Sequence, residues 1–322
     1  MKPTITLLLG DRNGIGPELC AKLLANETAL ALANINVLGD PDVLAEGCAV
    51  ASVTLDSTSY TMTDCRPVDG LETTRSTATS GAGAEILGLL SHAANDVTNG
   101  RSDGVVFGPL NKEAMHMGGL KQDDEMRFLA QELSYDGLFG ELNVLDKLWT
   151  TRVTSHVPIS EVARHITTSA VLRSIRFAHE TLSDAGFAPP RVAVAALNPH
   201  AGDGGNFGTE EIDAIAPAIA QAKAEGIMAD GPFPSDTVFV RAQRGDFDVV
   251  VTMYHDQGQI AMKLMGFGKG VTVLGGLPIA VATTGHGTGY DIAGQGIATP
   301  TALFNAFSIC CETAKSKRST KS

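Results

Sequence analysis

The chain has 322 residues, 43% of them hydrophobic, enough to bury substantial cores and to form two domains rather than one. Its formal net charge of −12, with no dense Lys/Arg run apart from the short KSKR near Lys315, excludes nonspecific nucleic-acid binding and attraction to anionic membranes. Five cysteines without CxxC spacing leave one unpaired under any pairing, which fits a reducing cytoplasm; the apolar run before Gly10 is too short for a signal segment, and no stretch reaches membrane-spanning length.

Thr4 to Leu9 predicts a first buried strand, and Gly10 to Gly16 turns it into a helix beginning near Pro17. That turn lacks the GxGxxG dinucleotide fingerprint, so no cofactor-binding residue is assigned from it. Ile35 to Leu38 reads as a second strand, and residues 47–80, rich in Ser, Thr and Asp, as short strands and loops. Ile86, Leu89, Leu90, Ala93 and Val97 form the apolar stripe of a helix over 80–97, with His92 off the stripe and solvated. Gly104 to Phe107 is a strand that delivers GPLNK to a sheet edge, where Lys112 is either an exposed loop lysine or a partner for a carboxylate, phosphate or cofactor.

Further on, residues 142–156 contain strands, 159–166 a short helix with a surface His165, and 170–185 a helix with a partly buried His179. Arg191 to Leu197 is a strand, followed by the glycine loop around His200 and a helix opened by Thr209, with Ile212, Ile215 and Ile219 on one face and Gly226 as its stop. Phe247 to Tyr254 is a strand leading to His255, and Gly275 to Thr284 a last apolar strand before GHGTGYDIAG; the KSKR tail is a solvated end. Alternation of β and α along the whole chain defines an α/β fold.

A lone histidine in a glycine loop is as readily a hydrogen-bonded structural residue as a ligand. Three of them change the reading: His156, His200 and His255 each close a β-like segment, and such segments bring their ends to one edge of a sheet, where open α/β folds bind ligands. Imidazoles are the commonest ligands for a divalent ion such as zinc, and these spacings are too long for a zinc finger, so the fold must assemble the site and leave positions open for substrate.

The stretches GDRNGIGPE (10–18), GPLNK (108–112), SHVPI (155–159), LNPHAGDGGNFGTEE (197–211), GPFPSDT (231–237) and YHDQGQIAMKLMGFGKGV (254–271) resemble, in order, the 4-hydroxythreonine-4-phosphate dehydrogenase family, the NAD-dependent metalloenzymes of pyridoxal phosphate synthesis. The resemblance implies two α/β/α domains with a cleft between them, isocitrate/isopropylmalate dehydrogenase-like, built discontinuously from residues 1–322. It implies NAD or NADP, a divalent metal (zinc, or magnesium, manganese or cobalt), a cytoplasmic homodimer with the active site at its interface, and a small-molecule substrate. His156, His200 and His255 match the family's metal ligands, shared across that interface, and Lys263 a substrate-binding lysine. Asp236 and Asp256 match acidic positions close to the site, either of which can relay a proton. The family's product is a β-keto acid, whose decarboxylation the same metal assists.

Departures from the family pattern bear on the substrate. A Gly-His-Thr-Glu motif that touches substrate is replaced by Asp124-Glu125-Met126-Arg127, and substrate-binding Asn and Arg positions fall on Thr272 and Val281. Phosphate needs donors, and Arg suits it best. The departures, with GHGTGYDIAG in place of the usual Asp-His-Gly-Thr stretch, are similar to the branch that oxidises cis-dihydrodiol carboxylates. The expected activity is therefore oxidation of a secondary hydroxyl of a hydroxy acid or dihydrodiol carboxylate. The alternatives are 4-hydroxythreonine 4-phosphate oxidation itself, or a metal-containing ligand-binding protein without turnover.

Overall fold

A computed structural model describes residues 2–321 apart from 68, 69, 72 and 267. Among these residues the strands follow in chain order as β1 (Thr4–Leu8), β2 (Asn34–Gly39), β3 (Thr61–Asp64), β4 (Gly104–Phe107), β5 (Gly140–Leu145), β6 (Leu148–Arg152), β7 (Val192–Ala195), β8 (Ala229–Phe233), β9 (Val249–Thr252), β10 (Val271–Gly275) and β11 (Ala280–Thr284). The chain divides into two compact units: Met1–Leu138 with Val271–Ser322, and Phe139–Gly270.

In the first unit the strands lie in the order β3-β2-β1-β4-β11-β10, parallel except for the β10–β11 pair. Strands covered by helices on both faces are buried along their length, and β4 (GVVF) reads as a continuous apolar run for that reason, while β1 (TITLL) buries Thr6 as well as Ile5, Leu7 and Leu8. Helix Ser80–Thr98 starts where Thr79 accepts the amide of Ala82 and buries Ile86, Leu89, Leu90 and Ala93. Its His92 is less free than the sequence implied: Nδ1 contacts Cys65 Sγ at 3.5 Å and Nε2 lies 3.7 Å from Asp96.

Other corrections here have local causes. The stretch 275–284 is not one strand, because Gly275 ends β10 and β11 begins only at Ala280, antiparallel to it. The start of the stretch 47–80 is helical: helix Pro41–Ala51 runs into it, begun where Asp40 accepts the amide of Asp42 and Pro41 supplies the first-turn φ. The KSKR end is helical but still partly solvated: it belongs to helix Thr301–Lys321, which buries Phe307, Cys310 and Cys311 further back, while the Lys315 and Arg318 side chains stay 39% and 44% exposed and Arg318 reaches Asp103 at 2.8 Å.

In the second unit the order is β5-β6-β9-β7-β8, with β5 antiparallel to β6 and the other four parallel. Helix Thr168–Asp184 covers one face through Val171, Ile175, Ala178 and Leu182. The other face packs Ala193, Ala195 and Val250 against Val238, Phe239 and Ala242 of helix Ser235–Gln243 and Met262 of helix His255–Gly266. After the glycine loop a π-helical turn, Glu211–Ile215, precedes helix Ala216–Ala224, and the extra residue per turn rotates the apolar stripe. Ile215 and Ile219 are buried as expected, whereas Ile212 is 54% exposed. Among the described residues no helix is long and apolar enough to cross a membrane.

Candidate active site

Strands β6, β9 and β7 are neighbours in the second unit and all run the same way, so their carboxyl ends emerge side by side. His156 follows β6, His255 follows the central β9, and His200 follows β7. Backbone bonds hold the first two exits together: Val153 and Thr154 donate to the carbonyls of Thr252 and Met253 at 2.8 and 3.1 Å, and the Thr154 hydroxyl donates to Met253 at 2.8 Å. The rings of His156 and His255 consequently stand 5.9 Å apart, centroid to centroid.

The third exit is joined by Gln257, a residue of the YHDQG stretch whose role the stretch itself does not show. Gln257 accepts the amide of Met253 at 2.7 Å and donates to the carbonyl of Ala196 at 2.8 Å, linking the turn that starts the His255 helix to the end of β7. Beyond Ala196 the chain enters a left-handed turn: His200, Ala201, Gly202, Asp203 and Gly204 all have φ between 43° and 78°. Glycines adopt this freely, but the three residues with side chains cost roughly 1–2 kcal/mol each. Glu211, only 3% exposed, offsets that cost by accepting the amides of Leu197 and Asn198, both at 2.8 Å, and the Asn198 side-chain amide at 2.9 Å. Neither Gln257 nor Glu211 could be chosen from sequence, because each acts on a segment that only the fold brings near.

His200 lies exposed with its ring 6.3 Å from that of Phe207. The structure thus places all three histidines at one sheet edge and pairs two of them; among the described residues no three His, Cys, Asp or Glu side chains gather closely enough to hold an ion. His255 Nδ1 is bonded to Asp256 Oδ1 at 2.7 Å. Lys263 is exposed on the same helix about two turns on, and Asp236 is exposed in the first turn of the helix after β8.

Lys112, Glu125, Arg127 and Thr272 belong to the first unit. Lys112 is exposed at the start of a helix capped by Asn111, and Thr272 pairs with Thr283 across β10 and β11. Asp124 caps helix Glu125–Glu132 through the amide of Arg127 and holds the Arg127 guanidinium, while Glu125 is buried. Val281 is 2% exposed within β11, opposite Val105 of β4.

GDRNGIGPE forms a second polar centre in this unit. A Cβ on Gly10 would meet Gly108 and Pro109 backbone at 2.7 and 2.8 Å, so glycine is required where the two loops meet. Arg12 is locked between Asp40 at 2.9 Å and Glu85 at 2.7 Å. Asp11 is fully buried and takes the Tyr290 hydroxyl at 2.5 Å and the Asn13 amide at 2.9 Å. Burial pushes its carboxyl above the usual carboxylate range despite the lowering effect of these bonds and of Arg12. Tyr290 is raised in turn, by burial first and by Asp11 second.

Parallel sheets with ligand-type side chains at their carboxyl ends are the architecture in which open α/β folds bind ligands. The chain belongs to the family of the pyridoxal phosphate biosynthetic protein PdxA, whose model matches residues 31–310. It is 45% identical to the protein proposed as 4-hydroxythreonine-4-phosphate dehydrogenase 2 of Rhizobium meliloti, over 98% of this chain and 95% of that one. It is 36% identical to the D-threonate 4-phosphate dehydrogenase of Cupriavidus necator, over 94% and 95%. Similar solved structures are the 4-hydroxythreonine-4-phosphate dehydrogenase of Klebsiella pneumoniae (30% identity, 98% of each chain, TM-score 0.84) and the terephthalate 1,2-cis-dihydrodiol dehydrogenase of Burkholderia xenovorans LB400 (28%, 96% and 98%, TM-score 0.68). Likeness to the isocitrate dehydrogenase of Methylococcus capsulatus (19%, 100% and 89%, TM-score 0.51) shows the fold alone. The chain is accordingly an enzyme, a dehydrogenase acting on CH–OH donors.

Proposed function

We propose that this enzyme oxidises a secondary hydroxyl of a hydroxy acid or dihydrodiol carboxylate with NAD or NADP, using a divalent metal such as zinc, and that it works as a cytoplasmic homodimer. The carrying observation is His255: it faces His156 at 5.9 Å, and its Nδ1 is held by Asp256. A carboxylate that accepts the Nδ1 proton fixes the tautomer and leaves Nε2 with a free lone pair, the arrangement expected of a metal-ligating histidine. Imidazoles are the right donors for such an ion, and although only His156 and His255 stand together within one copy, His156, His200 and His255 would hold it if the ligands are shared between two copies. When bound, it would polarise the substrate's hydroxyl and carboxylate oxygens and assist any decarboxylation of a β-keto acid product.

The chain's own residues supply the rest. Lys263 brings an ammonium to bind the substrate's carboxylate, and Asp236 or Asp256 takes the hydroxyl proton as hydride leaves for the nicotinamide. Lys112 is the corresponding cation of the first unit. Support for a second copy comes from apolar side chains left in water around the histidines. Ile260 and Leu264, on the His255 helix, are 60% and 83% exposed, and Phe207 and Ile212, flanking the His200 loop, are 51% and 54% exposed.

The substrate's acid group follows from the departures. Glu125 carries a carboxylate where the family has a donor, and Arg127 is held by Asp124. Leaving a phosphate dianion without donors costs at least a few kcal/mol, roughly a hundredfold in kcat/KM. A second reading, turnover of a phosphorylated four-carbon acid, is favoured by the names of the relatives. An NAD(P)-reduction screen with metal added back separates them. We expect kcat/KM on non-phosphorylated hydroxy acids and cis-dihydrodiol carboxylates to exceed that on 4-hydroxythreonine 4-phosphate about a hundredfold; equal or better turnover of the phosphorylated compound would establish the second reading.

A further inference from the structure

We propose that Arg152 is the positioning residue that sets His156 and His255 against each other and thereby tunes the affinity of the site for its divalent ion. The inference rests on the metal reading above. The antiparallel register of β5 and β6 pairs Asn143 with Thr150, and carried on by two residues it sets Glu141 opposite Arg152. The Arg152 side chain is only 10% exposed, and each part of its guanidinium is used. Nη2 donates to Glu141 Oε2 at 2.7 Å, Nη1 to Asn143 Oδ1 at 3.2 Å, and Nε to Ser155 Oγ at 3.0 Å.

Two of those contacts lead to the histidines. Ser155 immediately precedes His156, so the Nε bond fixes the start of the turn that presents this imidazole. Asn143 Oδ1 also accepts from Gln259 Nε2, one turn after His255 on its helix. A rigid planar fork thus spans from the residue before one imidazole to the helical turn behind the other, within one unit and beneath their 5.9 Å approach. Residues that orient metal ligands without touching the ion commonly change its affinity 10–100-fold.

Lysine in place of Arg152 keeps the charge opposite Glu141 but has no fork to reach Ser155 and Asn143 together. Gln259→Ala cuts the link to the His255 helix and leaves the ion pair intact. The test titrates the full-length, metal-stripped protein with Zn²⁺ or Co²⁺ by calorimetry and records the melting temperature of each metal-free protein. Arg152→Lys and Gln259→Ala should each bind the ion about tenfold or more weakly, with melting temperatures near that of the wild type. Wild-type affinity in both variants overturns the proposal, as does a melting temperature that falls in step with affinity, which would make Arg152 a support of the fold. A wild-type protein that takes up neither ion overturns the metal reading itself, a different failure.

Discussion

Asp256 Oδ1 lies 2.7 Å from Nδ1 of His255 although the Asp256 side chain is 71% exposed. A hydrogen bond this exposed contributes little to stability. Its effect lies in tautomer choice, which gives a clean experiment. Asp256→Asn should leave the melting temperature unchanged and weaken Zn²⁺ or Co²⁺ binding about tenfold. Unaltered metal affinity would remove Asp256 from the support of His255.

The exposed stripe on the helix that His255 opens bears on assembly. Leu264, 83% exposed, contributes nothing to the core of its own unit. Leu264→Glu should therefore fold normally yet shift the protein from dimer to monomer by light scattering, with activity lost in proportion. A dimer of wild-type mass and activity in this variant would place the interface elsewhere.

Val281 shows how a residue matched by sequence takes its meaning from its surroundings. Restoring the family's arginine there looks like a way to regain phosphate turnover, but the position is 2% exposed in β11, between β4 and β10. A guanidinium there loses its hydration without a partner, at a cost of about 3 kcal/mol or more. Val281→Arg is thus expected to lower the melting temperature by several degrees and to recover no phosphate turnover; a stable variant with improved phosphate kcat/KM would refute this.

Asp11 makes stability depend on pH. Its folded carboxyl is raised, burial being the largest cause, so the protonated form stabilises the fold. That contribution is fully present below the unfolded value of about 3.9 and is lost as pH rises through the folded value. Asp11→Asn keeps an acceptor for the Asn13 amide and cannot ionise. Its melting temperature relative to wild type should rise between pH 4 and pH 7. A constant difference across that range would show that Asp11 does not titrate as described.

The sequence determined much of this by itself. Runs such as VAVA and VVVT predict buried parallel strands because helices cover both faces, and the stripe from Ile86 to Ala93 fixes its helix by period alone. His156, His200 and His255 stood out because each ends such a run. Tertiary structure decided what periodicity cannot carry. The order β6-β9-β7 puts His255 between the other two strand ends, and strand order is a property of pairing, not of any one strand. Gln257, Glu211 and Arg152 make their contacts to Ala196, Leu197 and Asn143 across gaps in sequence, so nothing local marks them. A π-helical turn moved Ile212 out of the core, and the place of Val281 between two strands made it a packing residue. Apart from the local π-helical turn, the deciding energy in these cases is a contact that strand pairing or loop packing brings about, and it exists only once the backbone has folded.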